Sequence, residues 1–277
     1  MKHILSLGAG VQSSTLALKF AYGVFDVRLD AAIFADTQRE PEDVYKWLAY
    51  LEEQIAKSPH PFPVYRVTAG DLGAQTLRLR QSKKTGNMYV RALIPAFFER
   101  PGGGRGLLGR KCTAEFKVRA LLAKQKKLSK VPRKCTTVMC TTYIGISYDE
   151  VHRMKKSTEV WCENQWPLID LKMTRQDCKD WMAMMGFPEP PRSACYFCPF
   201  HSDQEWGRLQ KHEPKEFAKA VEFDKELRRL AAQATGTAKL SGDIYLHSSL
   251  KPLDEVKFTT EKEVDKFGND CTGLCGV

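Results

Sequence analysis

Hydrophobic and polar positions along the chain fall into two alternating kinds of segment. Short apolar runs predict strands at Lys2–Leu7, Ala31–Ala35, Val64–Val67, Tyr143–Ile146 and Pro167–Ile169. Longer stretches repeat their apolar residues every three or four positions, which predicts helices at Ser13–Tyr22, Glu42–Ala56, Thr113–Lys127 and Thr174–Met185. Buried strands separated by amphipathic helices are typical of a parallel sheet covered on both faces. We therefore predict a doubly wound, Rossmann-like α/β fold.

The pattern changes after about residue 190. Two further helices are predicted, from Ser202 to about His212 and from Pro214 to about Leu230. We predict an α/β nucleotide-binding domain over residues 1–190 and a helical C-terminal region over 191–277 that ends in a cysteine-bearing tail. Residues 82–110 lack a clear period and contain three consecutive glycines, which favours a mobile excursion over an active site.

The segment between the first strand and the first helix is the strongest candidate site. It contributes Ser6, Gly8, Ala9, Gly10, Gln12, Ser13 and Ser14. Small residues let backbone N–H groups approach an anion closely, and the start of a helix adds the positive end of its dipole. This order of strand, loop and helix predicts a phosphate-binding loop, although neither a Walker A ending nor a third glycine is present. A plain turn without a ligand is the alternative.

Polar segments follow other predicted strands, and in an open parallel sheet ligands bind at the carboxyl ends of the strands. Asp36 follows the second strand, and Gly145 with Ser147–Arg153 accompanies a later one. Together with the first loop they predict a nucleotide pocket. Asp36 either accepts from a ribose hydroxyl, helps to place a metal such as Mg²⁺, or serves only as a turn or helix-cap residue.

Nine cysteines and no recognisable secretion signal favour a reducing cytoplasm over a disulfide framework. Cys195 and Cys198 form a CxxC unit, Cys112 opens a basic helix, and Cys271 with Cys275 forms a CxxxC unit. These five supply four ligands, or three ligands and a catalytic thiol, for zinc or an iron–sulfur cluster. The other cysteines are interpreted as small core residues: Cys135, Cys140, Cys162 and Cys178.

The formal net charge of +10 is concentrated in one segment, 105–134. Its only acid is Glu115, against Arg105, Arg110, Lys111, Lys117, Arg119, Lys124, Lys126, Lys127, Lys130, Arg133 and Lys134. A localised positive field predicts an anionic partner, either a nucleic acid such as DNA or tRNA or a phosphorylated nucleotide; a solvated helix face is the alternative. No apolar run is long enough to span a membrane, so no membrane association is expected.

These motifs together resemble a known group. Residues 6–14 resemble the pyrophosphate loop (PP-loop) of the adenine nucleotide α-hydrolase fold. Further motifs follow in the order seen in phosphoadenylyl-sulfate reductase-like proteins, including members found in phage and bacterial genomes: Arg110–Thr113 with Lys117, Gly145–Arg153, Trp166–Leu171 with Thr174–Trp181, Cys195–Cys198 and the terminal cysteine tail. DNA phosphorothioation enzymes and tRNA 2-thiolation enzymes share the loop and a cysteine-held cluster.

The resemblance implies ATP or an adenylyl sulfate at residues 6–14, with Asp36 near the ribose and Arg153 near the phosphates. It also implies a 4Fe–4S cluster on Cys112, Cys195 and Cys198, with the fourth ligand left open and Cys271 and Cys275 as the candidates. Three departures stand out. Thr113 follows Cys112 where cluster-bearing reductases have a second cysteine, Gln12 replaces a frequent aspartate, and the tail lacks the usual terminal histidine.

Three functions remain open from the sequence. The first is an ATP-dependent sulfurtransferase that adenylates a nucleic acid and receives sulfur from a donor through the cluster or through a persulfide on Cys271 or Cys275. The second is a sulfonucleotide reductase with Cys271 or Cys275 as nucleophile and a thioredoxin-like reductant. The third is a zinc-stabilised, non-enzymatic nucleotide-binding module.

Overall fold

Buried strands form the centre of the molecule in a computed structural model that describes residues 1–236 and 243–258. In chain order the strands are β1 (Lys2–Leu7), β2 (Ala31–Asp36), β3 (Val64–Thr68), β4 (Leu79–Gln81), β5 (Met88–Val90), β6 (Phe97–Glu99), β7 (Arg105–Leu107), β8 (Cys140–Ile144), β9 (Cys162–Gln165) and β10 (Ile244–Tyr245). The α-helices are α1 (Val11–Ala21), α2 (Glu42–Lys57), α3 (Leu72–Thr76), α4 (Arg119–Leu128), α5 (Pro167–Asp170), α6 (Arg175–Met184), α7 (Asp203–His212) and α8 (Pro214–Ala231). A π-helix, Thr113–Val118, leads directly into α4.

Five strands form an all-parallel sheet in the order β3-β2-β1-β8-β9. The central position of β1 follows from its sequence, because Ile4 and Leu5 point to opposite faces and are both fully buried. The prediction of a Rossmann-like α/β fold is confirmed. The direction of strand order reverses between β1 and β8, and this reversal is the topological switch point at which such folds bind ligands.

Helices cover both faces of the sheet. On one face α1, α2 and α6 pack together, with Leu16 and Leu48 fully buried in a shared core. On the other face α4 contacts β1, β2 and β3, and its Leu121 packs with Ile4 and Ile33. None of the described helices has the length and apolar character needed to cross a membrane.

Two sequence predictions about strands are wrong. Pro167–Ile169 is not a strand, because Pro167 stands at the start of α5 and a proline cannot donate to a strand ladder. The central sheet takes its fifth strand from β9 instead, which pairs with β8 alone. Its residues are mostly polar, so the apolar pattern did not reveal it. The predicted strand Tyr143–Ile146 begins earlier, as β8, and stops before Gly145.

The stretch 82–110 is not without secondary structure. It contains β5, β6 and β7, and β6 pairs with β7 and with β10. These short strands pack with α7 and α8 in a second core that includes Trp206 and Phe223. The CxxC unit lies inside this core, where the rings of Phe197 and Phe223 stack with centroids 3.9 Å apart. The second core therefore fixes the segment that carries Cys195 and Cys198.

The packing of α2 on the sheet yields a stability prediction. Leu48→Ala empties a fully buried position between α2 and the sheet, so it should lower the free energy of unfolding by about 2–5 kcal/mol. The matched control is Leu171→Ala, since Leu171 is 46% exposed and should change that free energy by less than about 0.5 kcal/mol. Urea unfolding of both variants measures the difference. Equal losses would contradict the assignment of α2 to the core.

Candidate nucleotide and cysteine site

The loop between β1 and α1 is held in shape by its own residues. The Gly8 N–H donates to Ser13 Oγ at 3.1 Å, and Ser13 Oγ donates in turn to the Gly10 carbonyl at 3.4 Å. Ala9 has a φ of 58°, in the left-handed region that few non-glycine residues occupy. The loop is therefore a tight, fixed turn that ends at the first residue of α1.

The first turn of α1 contains backbone N–H groups that make no hydrogen bond within the helix. Gly10 is the residue before the helix and has no side chain with which to cap the first turn. The N–H groups of Val11, Gln12 and Ser13 lie in that turn and have no acceptor within the helix. Because α1 begins at the switch point of the sheet, these donors and the helix dipole favour an anion at that position.

Gly145 explains how close β8 comes to this turn. A Cβ atom built on Gly145 would lie 2.8 Å from both the backbone nitrogen and the Cα atom of Ser13. Such a contact is shorter than real Cβ atoms make, so a larger residue would push the start of α1 away from the end of β8. Gly145 thus positions the loop by close packing of the two backbones, and its predicted part in nucleotide binding stays a prediction.

Gln12 joins the loop to a charged cluster after β8. Its Nε2 donates to Ser147 Oγ at 3.3 Å and to Glu150 Oε2 at 3.1 Å, and its Oε1 accepts from Arg175 at 2.7 Å. Glu150 also pairs with Arg153 at 2.7 Å. Asp149 belongs to the same cluster, because its Oδ1 accepts from the backbone N–H of Arg175 at 3.1 Å, so two guanidinium groups accompany two carboxylates. Arg153 was predicted from sequence, whereas Arg175 was missed.

Asp36 is engaged in a turn. Its Oδ1 accepts from the backbone N–H of Gln38 at 2.7 Å and from the hydroxyl of Tyr45 at 2.8 Å. Burial and the neighbouring Asp36 carboxylate together raise the pKa of Tyr45 above its ordinary value, so the phenol remains a donor. These contacts fit the turn interpretation of Asp36, and its roles toward a ribose or Mg²⁺ stay predictions.

The structure brings the three predicted cluster cysteines to one cavity. Cys112, Cys195 and Cys198 all line a cavity of about 40 Å³, together with Arg110 and Lys117. The hydroxyl of Thr37, which follows β2, lies 3.2 Å from Cys195 Sγ. Burial raises the pKa of the Cys195 thiol well above its ordinary value, so this thiol is neutral unless a metal binds it.

Two contacts connect the CxxC segment to the edge of the sheet. Ser193 Oγ donates to the carbonyl oxygen of Gly8 in the β1–α1 loop. The backbone N–H of Tyr196 donates to the carbonyl of Arg39, 3.0 Å away in the segment after β2. The cysteine cavity and the phosphate-binding candidate therefore lie side by side at the carboxyl edge of the sheet. Ser193 gave no signal in the sequence.

The donor set suits a thiolate-bound metal centre but is incomplete in the described residues. Three thiols on one cavity supply three of the four ligands that zinc or a 4Fe–4S cluster takes. As placed, no three His, Cys, Asp or Glu side chains of the described residues form a preformed metal-binding group. Cys271 and Cys275, predicted as catalytic residues or as the fourth ligand, lie outside the described residues.

A buried ion pair borders the cavity. Lys117 Nζ lies 3.1 Å from Glu40 Oε1, with side chains 7% and 0% exposed. Lys117 projects from the π-helix that follows Cys112, and Glu40 comes from the segment after β2. π-Helical turns are frequent at functional sites, and this one places an ammonium group beside the cysteines. Sequence reasoning did not single out Glu40.

The basic segment 105–134 divides in two. Two of its cations contact other groups of the protein: Lys117 pairs with Glu40, and Lys124 Nζ lies 3.6 Å from the ring centroid of Tyr65. Its one acid, Glu115, pairs with Arg91. Most of the remaining cations are exposed: Lys111, Arg119, Lys126, Lys127, Lys130, Arg133 and Lys134. These cations form the exposed basic surface of the α4 region, as the charge count predicted.

Comparison with known protein families finds no family model that matches the chain, and a search of curated proteins finds no significant match.

The close approach at Gly145 yields a prediction. Gly145→Ala should lower the free energy of unfolding by about 1–3 kcal/mol, because the added methyl overlaps the backbone of Ser13. Gly109→Ala is the control, since a Cβ there meets nothing within 4 Å, and its effect should stay within about 0.5 kcal/mol. Denaturant unfolding compares the two. If Gly145→Ala were as stable as Gly109→Ala, the proposed packing of β8 on the loop would be wrong.

Proposed function

We propose that this chain is an adenine-nucleotide-using enzyme of the PP-loop type that transfers sulfur to a nucleic acid. One observation carries the proposal. The cavity lined by Cys112, Cys195 and Cys198 lies beside the uncapped start of α1, joined to it by the contact of Ser193 with Gly8. A nucleotide phosphate at α1 would thus be activated next to a thiolate-held centre.

The α1 turn and its neighbours would hold the nucleotide. Backbone N–H groups of residues 11–13 would bind phosphate oxygens, and the guanidinium groups of Arg153 and Arg175 would stabilise charge on them. Gln12, where related loops often have aspartate, links both groups and would orient Arg175. ATP, or another adenylate with an anionic tail, fits this arrangement.

The proposed reaction has two displacements. An oxygen of the nucleic acid attacks the α-phosphorus of ATP, so a P–O bond forms and pyrophosphate leaves with the electron pair of the broken bond. A sulfide-level sulfur nucleophile then attacks the adenylated position, and AMP leaves with the original oxygen. The positively charged groups beside the loop lower the barrier of the first step, because negative charge builds on the phosphates.

The cysteines would hold the sulfur-delivering centre. Cys112, Cys195 and Cys198 would ligate an iron–sulfur cluster, which when bound would present sulfur to the activated substrate. Arg110, which lines the same cavity, would offset part of the negative charge that three thiolates bring, whereas Lys117 is already paired with Glu40. Cys271 or Cys275 would provide the fourth ligand. The exposed basic surface of the α4 region would bind the polymer.

The activity test combines anaerobically purified protein with ATP, Mg²⁺, sulfide and either tRNA or DNA. We expect release of AMP and pyrophosphate that depends on the nucleic acid, and a sulfur-containing nucleotide in the digested product by mass spectrometry. Sulfite production from an adenylyl sulfate without any thiolated product would instead establish the reductase. Absence of nucleotide turnover with every substrate would contradict both enzymes.

The proposed metal centre is tested by measuring the iron and acid-labile sulfide content of the purified protein. We expect the wild type to contain iron and acid-labile sulfide and to absorb broadly near 400 nm, about the range of iron–sulfur thiolates. Cys198→Ser should lose most of the iron, because it removes a ligand from the cavity. Cys178→Ser is the control, since Cys178 is buried in α6 against α1 and should keep the wild-type iron content. Zinc without iron would overturn the cluster.

The nucleic-acid interface is tested by charge reversal. The double variant Lys126→Glu/Lys127→Glu alters two exposed lysines of α4 and should weaken binding of a labelled RNA or DNA oligonucleotide. The slope of log affinity against log salt should fall by roughly one for each lost phosphate contact. Lys83→Glu/Lys84→Glu makes the same charge change in the β4–β5 turn and should have little effect. Equal losses of oligonucleotide affinity in the two double variants would show that binding responds only to the net charge of the protein, and would contradict an interface at α4.

A further inference from the structure

Two cysteines outside the proposed site are neighbours in the sheet. Cys140 in β8 and Cys162 in β9 are register partners on parallel strands, and both side chains face α4. Parallel neighbours lie about 4.7–4.9 Å apart, which falls within the range of about 4.4–6.8 Å between the Cα atoms of disulfide-bonded cysteines. Both thiols are free in the structure. The strand pairing therefore places them within reach of each other.

A cavity gives access to one member of the pair. Cys162 lines a cavity of about 110 Å³ between α4 and the segment before β9, whereas Cys140 is fully buried behind it. A water molecule needs only about 10–15 Å³ in a cavity measured this way, so a small peroxide fits. Lys155 and Lys156 line the same cavity, and the Glu159 carboxylate opposes ionisation of Cys162.

Hydrogen bonds further activate Cys162. The interaction with the neighbouring Cys140 thiol lowers the pKa of Cys162 below its ordinary value, against the opposing effect of burial. The same interaction raises the pKa of Cys140. The hydroxyl of Thr142 lies 3.1 Å from Cys162 Sγ and is itself fixed by Gln125 at 2.7 Å. Because Cys162 is the member of the pair that lines the cavity, it is the thiol that an entering oxidant meets first.

We propose that Cys140 and Cys162 form an oxidant-sensitive dithiol, in which a hydroperoxide that enters the cavity oxidises Cys162 and Cys140 then closes a disulfide.

The two steps balance. The Cys162 thiolate attacks one oxygen of the hydroperoxide, an S–O bond forms, the O–O bond breaks, and hydroxide or an alkoxide leaves; sulfur is oxidised to a sulfenic acid. The Cys140 thiol then attacks the sulfur of that sulfenic acid, the S–S bond forms, and the S–OH oxygen leaves as water with the thiol proton. The hydroperoxide is the only oxidant required.

This site is independent of the proposed function. Cys140 and Cys162 belong to the core on the α4 face of the sheet, whereas Cys195 belongs to the second core with α7 and α8. Cys112 and Cys198 share the cavity of Cys195. The oxidation can therefore be followed at its own residues whether or not the protein binds a nucleotide or a cluster.

Peptide mapping after peroxide treatment tests the proposal in the full chain. All proteins carry Cys135→Ser, because trypsin leaves Cys135 and Cys140 on one peptide. After hydrogen peroxide we expect the peptide containing Cys140 linked to Ser157–Lys172, which carries Cys162, and release of both by a reductant. In a Cys140→Ala variant we expect a sulfenic acid trapped by dimedone at Cys162.

Cys178 is the internal control, because burial raises its pKa to about 12 and it lies in the α1–α6 core. Cys162 should react at least about tenfold faster than Cys178. No linkage between Cys140 and Cys162 in folded protein, judged by circular dichroism, would overturn the proposal. The proposal would also be overturned if dimedone trapped a sulfenic acid at Cys140 in the Cys162→Ala variant but none at Cys162 in the Cys140→Ala variant. Equal rates of oxidation of Cys162 and Cys178 by peroxide would overturn it as well.

Discussion

The close contact between the end of β8 and the start of α1 is the constraint on which the rest of the site depends. Gly145 lies against the backbone of Ser13, and only the absence of a side chain permits that distance. Because β1 and β8 flank the switch point, this contact directs the N-terminus of α1 to the edge where the strands end. The donors of that turn, the charged cluster around Gln12 and the cysteine cavity all take their positions from it.

The cysteine segment is held by a different part of the molecule. The second core of α7, α8 and short strands fixes the CxxC unit, and Phe197 and Trp206 fill that core. Two hydrogen bonds, from Ser193 and Tyr196, then join it to the sheet edge. A site shared by two cores is positioned only when both are folded. This explains why loop and cysteines stand far apart in sequence but side by side in space.

The sequence predicted the features that arise from local periodicity. The parallel sheet and its main helices follow from the spacing of apolar residues along the chain. Failures occurred where tertiary context decides. The strand β9 is polar and pairs on one side only, so it carried no apolar signal, and an apolar stretch beginning with Pro167 took its place in the prediction.

Candidate residues were predictable in the same uneven way. Gly145, Gln12 and the three cysteines lie in motifs, so their sequence neighbours drew attention to them. Arg175, Ser193 and Glu40 act through contacts with residues distant in the chain, and single residues of these types occur everywhere on protein surfaces. The basic surface was visible from charge alone, yet the burial of Lys117 against Glu40 was not, because burial depends on the packing of the π-helix.

The central claim is that the first turn of α1 binds the phosphates of an adenine nucleotide next to the cysteine cavity. A crystal structure of the protein with a non-hydrolysable ATP analogue tests it most directly. The account predicts phosphate oxygens within hydrogen-bond distance of the N–H groups of Val11, Gln12 and Ser13, with Arg153 or Arg175 beside them. An analogue that binds elsewhere, or fails to bind at millimolar concentration, would contradict it.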